Sequence, residues 1–508
     1  MGGIILYIRY MEPSNRDKFQ IKPHLYNEKT PIHPMDLEKI YRYVDAHKNE
    51  HFSNLKKMLQ QPSVSPQNIG IQECAELLAH FYDGLHCETE IFETEGNPVV
   101  YGVYDAGAEK TLLAYFMYDT QPYDEPGWTY PPMEATLAPL NLPSGEVTAL
   151  YNRGAINTKG PMMTFLHAVE AVQQCEGDLP FNLLLVGEGE EELSSPHLPD
   201  FVQAKKSELS QADACIFPFF LQNTKGKVEL YLGVKGIIYF ELECSGASWG
   251  RGPTQFGIHG SNKAWVDSPA WRLVHALSTM TEDDGNRVTV DHFYDDVIPP
   301  SPEDQELIDA LSKTFDPEPF KETMKVNAFS HSEEDSTRLV TSLLYTSTLN
   351  IDGIWGGYTG EGSKTLLPHK ATAKIDIRLV PDQQRDRMLP LIRNHLDSHG
   401  YQDIILRVLD EGYNWSKVSV HEPVVQAMMR TCSRFGYEAE VWPHLAGSAP
   451  FYLFSEVLGV PYVMGALGHG ARAHSPDEYI VYEGNDQVLG VDGAQKSLII
   501  FFDQWIRG

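Results

Sequence analysis

Two short runs of the chain are apolar without alternation, Thr111–Phe116 (TLLAYF) and Phe181–Val186 (FNLLLV), and Ala212–Phe217 is a third run of similar length. Unbroken apolar runs of strand length predict strands buried on both faces. Between the first two, Met162, Phe165, Leu166, Val169 and Val172 recur at helical spacing, which predicts a helix over 162–174 with Pro161 in its first turn. Strand, helix and strand in alternation imply a mostly parallel sheet. Upstream, Leu37, Ile40, Val44, Phe52, Leu55 and Leu59 predict helix over 35–59, Gln72–Tyr82 predicts a second helix, and Cys87–Tyr104 predicts a hairpin turning at Gly96–Asn97.

Downstream the pattern changes. Ile237–Glu243 and Ala371–Leu379 alternate, as strands with one wet face do. Helices are expected at Ala270–Met280 and at Arg385–His399, the latter with Pro390 near its start, and Thr281–Leu343 reads as irregular. This α+β block reads as an inserted domain. The chain then returns through a helix at Glu422–Phe435, a strand at Val460–Met464 and a helix at Ala494–Trp505. The expected organisation is a polar arm at 1–33, an α/β domain at 34–234 and 414–508, and the insertion at 235–413.

A chain of 508 residues exceeds one compact core, in keeping with that division. The net charge of -30 argues against nucleic acid or an anionic membrane as partner. No apolar run has the length of a membrane span. The stretch GIILYI near the N-terminus is too short for a secretory h-region, and Met11 is an alternative start. The six cysteines are scattered with no CxxC pair, which suits a reducing cytoplasm.

The candidate chemistry follows Phe181–Val186, where Gly187 and Gly189 lead into Glu190, Glu191 and Glu192. An open α/β sheet binds ligands beyond the carboxyl ends of its strands. Three adjacent carboxylates repel unless solvated, balanced by a cation or sharing a proton. Four segments stand in the same context: YFMYDTQP at Tyr115, RGAINTKGP at Arg153, VGEGEEELSS at Val186 and ARAHSPDE at Ala471. Together with FGIHGSNKAWVDSPAWRL at Phe256 and IDGIWGGYTGEGSKTLLPHKATAKIDIRLVP at Ile351, they resemble the di-zinc metallopeptidase family of aminoacylases, carnosine dipeptidases and succinyl-diaminopimelate desuccinylase. The resemblance implies an α/β catalytic domain interrupted by a ferredoxin-like lid that dimerises. It also implies zinc-assisted attack of water on an amide, with a glutamate carrying the proton.

Matched residue by residue, the resemblance makes Glu191 the general base, Asp119 its supporting carboxylate and His259 the lid histidine that reaches a partner's site. Glu192 and His474 match metal ligands. The other three ligand positions hold Met117 in place of His, Asn157 in place of a bridging Asp, and Pro218 on or near a carboxylate position. A thioether suits soft metals, a neutral amide does not offset the repulsion of two dications, and proline offers no ligand. Met117 and Asn157 are therefore expected to line the substrate site, with Glu192 and His474 as ligands only if a metal is bound. His469 and His444 are candidate recruits for a single-metal site. His444 also occupies the place of the family's carboxylate-binding arginine, and Gly447 and Ser448 match its substrate-facing turn. Arg251 and Lys263 suit an anionic substrate group, whereas Lys364, Asn350, Trp249 and Trp265 are expected to be structural.

The expected function is hydrolysis of a C–N amide bond in a small substrate by a cytoplasmic homodimer, with a reduced or absent metal centre. The alternatives are a conventional zinc dipeptidase or deacylase, a metal-free enzyme of elimination, cyclisation or acyl transfer, and a non-catalytic ligand-binding relative.

Overall fold

The computed structural model describes residues 35–330 and 335–508, so the expected arm at 1–33 lies outside the described residues. Two sheets organise the chain. The first contains β1 (Glu88–Phe92), β2 (Val99–Tyr104), β3 (Thr111–Met117), β4 (Asn182–Glu188) and β5 (Ala214–Phe220). The second contains β6 (Gly236–Ser245), β7 (Thr348–Gly356), β8 (Lys370–Leu379) and β9 (Ile405–Tyr413), after which β10 (Tyr462–Ala466) rejoins the first.

The first sheet has the order β1-β2-β4-β3-β5-β10. β4, β3, β5 and β10 run parallel, and the β1–β2 hairpin adds an antiparallel edge. β3 and β4 are buried at every residue, which explains their unbroken apolar sequences. Three helices precede β1: α1 (Leu37–Ala46), α2 (Lys48–Gln60) and α3 (Ile71–Gly84). α4 (Gly160–Glu176) links the small sheet described below to β4, packed against α1, α2 and the C-terminal helix Val491–Arg507. It is buried nearly all round, including Phe165, Leu166 and Val169.

A smaller antiparallel sheet joins Thr136–Leu142, Gly145–Tyr151, Tyr479–Glu483 and Gly470–Ala471. Its strands were not legible as a unit, because they come from two distant parts of the chain. This sheet carries both the loop after Tyr151 and the segment around His474 to the end of β3.

In the second sheet the order is β7-β8-β6-β9, with every neighbour antiparallel. After β6 come α5 (Pro269–Leu277), then α6 (Pro302–Ser312), α7 (Glu318–Met324) and α8 (Ser336–Tyr345); α9 (Arg385–Ser398) follows β8. Counting β6, α5, β7, β8, α9 and β9 gives the ferredoxin-like βαββαβ arrangement. One face, with Ile238, Phe240, Leu242, Ile375 and Ile377, packs on Leu273 of α5 and Ile392 of α9. The other face carries Glu241, Glu243, Lys374, Asp376 and Arg378, the alternation that the sequence displays.

Two local expectations are corrected. Thr281–Leu343 is not irregular but contains α6, α7 and part of α8. α6 opens on a Ser301 capping box with Asp304, a signal present in the sequence but obscured by the acidic composition. Pro390 lies inside α9 rather than near its start, where it removes one intrahelical hydrogen bond.

Candidate active site

β3 and β4 end side by side, with Met117 in register with Glu188. The turn after β4 passes close to the end of β3. A Cβ on Gly189 would lie 2.3 Å from the Tyr118 hydroxyl, so only glycine fits there. Asp119, fully buried, then fixes the acidic turn. It accepts from the Ser65 hydroxyl at 2.6 Å and from the backbone N–H groups of Glu191 and Glu192 at 3.2 and 3.1 Å.

The acidic residues do different things. Glu190 faces away, accepting from Asn97 N–H at 2.9 Å and pairing with His197 at 2.7 Å. Glu192 is the acceptor of a network: its side chain, only 3% exposed, takes Gln121 Nε2 at 2.8 Å, Asn157 Nδ2 at 2.7 Å and His474 Nε2 at 3.1 Å. Asn157 Nδ2 also lies 3.0 Å from His474 Nε2. A carboxylate only accepts, so Nε2 is the donor in this bond, which in turn raises the proton affinity of His474. Glu191 is half-buried beside this network. Burial, then the charges of Glu192, Asp119 and Glu188, raise its carboxyl well above the usual range. Burial and Glu192 likewise push Asp119 up to about 7.

Three buried residues that the sequence did not single out complete the frame. Glu478 accepts from Arg153 Nη1 at 2.8 Å and from the N–H groups of Gly154, Ile156 and Asn157 at 3.0–3.1 Å, so it shapes the loop that presents Asn157. The available signal was the Asp477–Glu478 pair that closes ARAHSPDE, opposite the lone arginine of RGAINTKGP. Lys159 donates to the carbonyls of Gln61 at 2.6 Å and Met58 at 3.4 Å, which ties the same loop to α2. Glu188 accepts from the Tyr115 hydroxyl at 2.5 Å, and its Oε1 is buried without a partner. Burial pushes its carboxyl up to about 8, so it is protonated near neutral pH.

The donor set does not fit two zinc ions. Met117 is buried at the end of β3, Pro218 lies in β5, and Asn157 turns its N–H toward Glu192. Among the described residues, no group of three or more His, Cys, Asp or Glu side chains is arranged to hold a metal. His469 is no spare ligand, since Nδ1 and Nε2 engage the Gln222 carbonyl at 2.7 Å and the Tyr479 hydroxyl at 3.0 Å.

Met117, Asp119, Asn157, Glu191, Glu192 and His474 thus converge around the ends of β3 and β4. The remaining expected residues stand elsewhere. His444 is corrected from a substrate contact to a packing residue: it is 2% exposed and donates from Nε2 to the Leu344 carbonyl at 2.7 Å. Burial lowers its pKa to about 4, so it is neutral and cannot replace an arginine. Arg251 pairs with Asp267 at 2.6 Å on the exposed surface of the insertion. His259 is exposed on Ile258–His259, bonded to Ser261 and Thr365. The Gly447 carbonyl accepts from Lys235 N–H at 2.9 Å, and the Ser448 hydroxyl accepts from Arg378 Nη1 at 3.0 Å. Arg378 therefore brings a guanidinium from β8 to that turn, a residue the sequence reading passed over.

Comparison with known proteins gives consistent results. Residues 115–489 match the profile of peptidase family M20/M25/M40. The chain is 28% identical over 379 residues to the Cys-Gly metallodipeptidase dug1 of Schizosaccharomyces pombe, covering 71% of this chain and 76% of that protein. It is 27% identical over 386 residues to human Beta-Ala-His dipeptidase, covering 72% of each. Among solved structures, the M20 family metallo-carboxypeptidase Sso-CP2 from Sulfolobus solfataricus superposes with TM-score 0.81 at 32% identity, over 90% of this chain and all of that one.

The protonated Glu188 makes a prediction about stability. Its folded pKa lies above the ordinary 4.5, so its contribution is complete at low pH and is lost as pH rises through about 8. Glu188→Gln keeps a neutral side chain throughout. Its melting temperature should fall less than that of the wild type between about pH 5 and pH 9. Equal falls in both proteins would show that Glu188 is not a buried acid.

Proposed function

The chain belongs to peptidase family M20/M25/M40, and from that premise we propose that it hydrolyses the amide bond of a dipeptide-like substrate without a two-zinc centre. The observation that carries this reading is the pairing of Glu191, at the family's general-base position, with a hydrogen-bonded Asn157–Glu192–His474 network at its metal positions. In this reading Glu191 takes a proton from the attacking water and passes it to the leaving nitrogen. A base with raised proton affinity suits that task better than a solvated carboxylate. His474, held by Glu192 and exposed on its outer side, offers an N–H to the oxyanion that develops on the carbonyl. Asp119 positions both glutamates through their backbone N–H groups.

Relatives of this chain are named as dipeptidases for Cys-Gly and Beta-Ala-His, which supports a small peptide with a free carboxylate. With His444 buried, Arg378 at Ser448 is the cation placed to receive that carboxylate. The six cysteines are buried and unbridged, which supports a cytoplasmic setting. No helix of the described residues is long and apolar enough to cross a membrane.

The inserted domain acts in this reading as a lid and as the dimer interface. β7 is an edge strand that exposes Ile351, Ile354 and Trp355, and such an edge pairs readily with a second copy. His259, whose ring bonds Ser261 and Thr365 of the insertion, then serves the partner's site.

Two measurements follow. Glu191→Gln should lower kcat on the best substrate of a dipeptide panel by about 10²–10⁴-fold, with heavy oxygen from labelled water in the wild-type product. Undiminished turnover would remove Glu191 from the mechanism, and product without solvent oxygen would replace hydrolysis by elimination, cyclisation or acyl transfer. Ile354→Lys should convert a dimer to a monomer in light scattering, whereas a wild-type monomer or an unaffected dimer would rule out this edge.

A further inference from the structure

The chain passes between its two domains twice, and the two crossings lie together. Gly233–Val234 leads into β6, Ser416–Lys417 follows β9, and the two segments pair antiparallel. A two-stranded crossing of this kind is a natural hinge. What surrounds it is not part of either sheet.

α6 and α8 leave the inserted domain and return to it, yet they contribute nothing to the core of the second sheet. Ile308 and Leu311 of α6 cluster instead with Val340, Leu344 and Tyr345 of α8 and with Trp442 of the first domain. Their polar contacts gather on the residues that flank the crossings. Lys235, next after Val234, donates from Nζ to the Thr346 carbonyl at 2.9 Å. Lys417 pairs with Asp304 of α6, both largely buried. Glu303 accepts from the Ser419 hydroxyl at 2.9 Å and from Val420 N–H at 3.1 Å. His444 holds the last turn of α8 through Leu344. The backbone of Lys235 also bonds the carbonyls of Leu445 and Gly447, beside the Arg378–Ser448 contact.

We propose that α6 and α8 form a strap that fixes the angle of the inserted domain over the carboxylate site, with Asp304, Lys417, Lys235 and His444 as positioning residues. They act through Arg378: with the strap fastened, β8 is held where its guanidinium meets Ser448, and a free hinge would separate the two. The inference concerns the hinge and stands whether or not the site hydrolyses amides.

Removing one member of the Asp304–Lys417 pair would leave a buried charge and disturb the fold for that reason alone. The informative variant replaces both, Asp304→Leu with Lys417→Met. Hydrogen exchange of the full-length protein should then accelerate by about tenfold in peptides covering 231–236 and 414–420, with β3 and β4 unchanged. The charge swap Asp304→Lys with Lys417→Asp should restore slow exchange at both crossings. Lys235→Met, which removes a single bond to Thr346, should accelerate the same two peptides and serves if the double variant does not fold. Acceleration confined to α6 and α8, with the crossings unchanged in every variant, would show that these helices only cover the surface and would overturn the proposal.

Discussion

The site depends on how one carboxylate is satisfied. Glu192 is almost wholly removed from solvent and takes donors from Gln121, Asn157 and His474. A buried carboxylate without such donors would be strongly destabilising. Each donor arrives on a different part of the chain. Gln121 follows β3, Asn157 sits on the loop shaped by Glu478, and His474 comes from the segment before Tyr479–Glu483. Glu192 therefore joins the first sheet to the small antiparallel sheet at the point where the chemistry is placed. Hydrogen bonds between side chains hold these strand ends together.

Other carboxyl groups crowd around Glu192. Asp119 and Glu191 feel the charge of Glu192, and Glu191 feels that of Glu188 as well. Asp119, Glu188 and Glu191 accordingly have a higher proton affinity than solvated carboxylates. Glu188 reports this most plainly, since one oxygen meets the Tyr115 hydroxyl and the other is buried with no donor, as a protonated carboxyl tolerates.

Much of this was legible in the sequence because it is local. The unbroken runs of β3 and β4 gave the buried strands, and the alternation over Ala371–Leu379 gave the two-faced β8. The glycines before Glu190 gave the turn. What was not legible depends on contacts between distant segments. Nothing near His444 announces that its ring closes on the Leu344 carbonyl. The pairing of Glu478 with Arg153 links residues that only the small antiparallel sheet brings together. α6 and α8 were missed because their apolar residues serve the first domain, so their pattern carried no relation to the sheet that encloses them in sequence. Arg378 was passed over because it alternates correctly on a strand, and the sequence does not say which residue of a wet face meets Ser448.

The central claim is that Asn157 and His474 both donate to Glu192 at positions where the family's metal centre would lie. It is tested most directly by elemental mass spectrometry on protein purified without chelator, then loaded with excess zinc and desalted. The account predicts that the folded protein retains no stoichiometric zinc in either state. One or two zinc ions firmly held per chain would contradict it, and would mean that the network opens to give Glu192 and His474 to a metal.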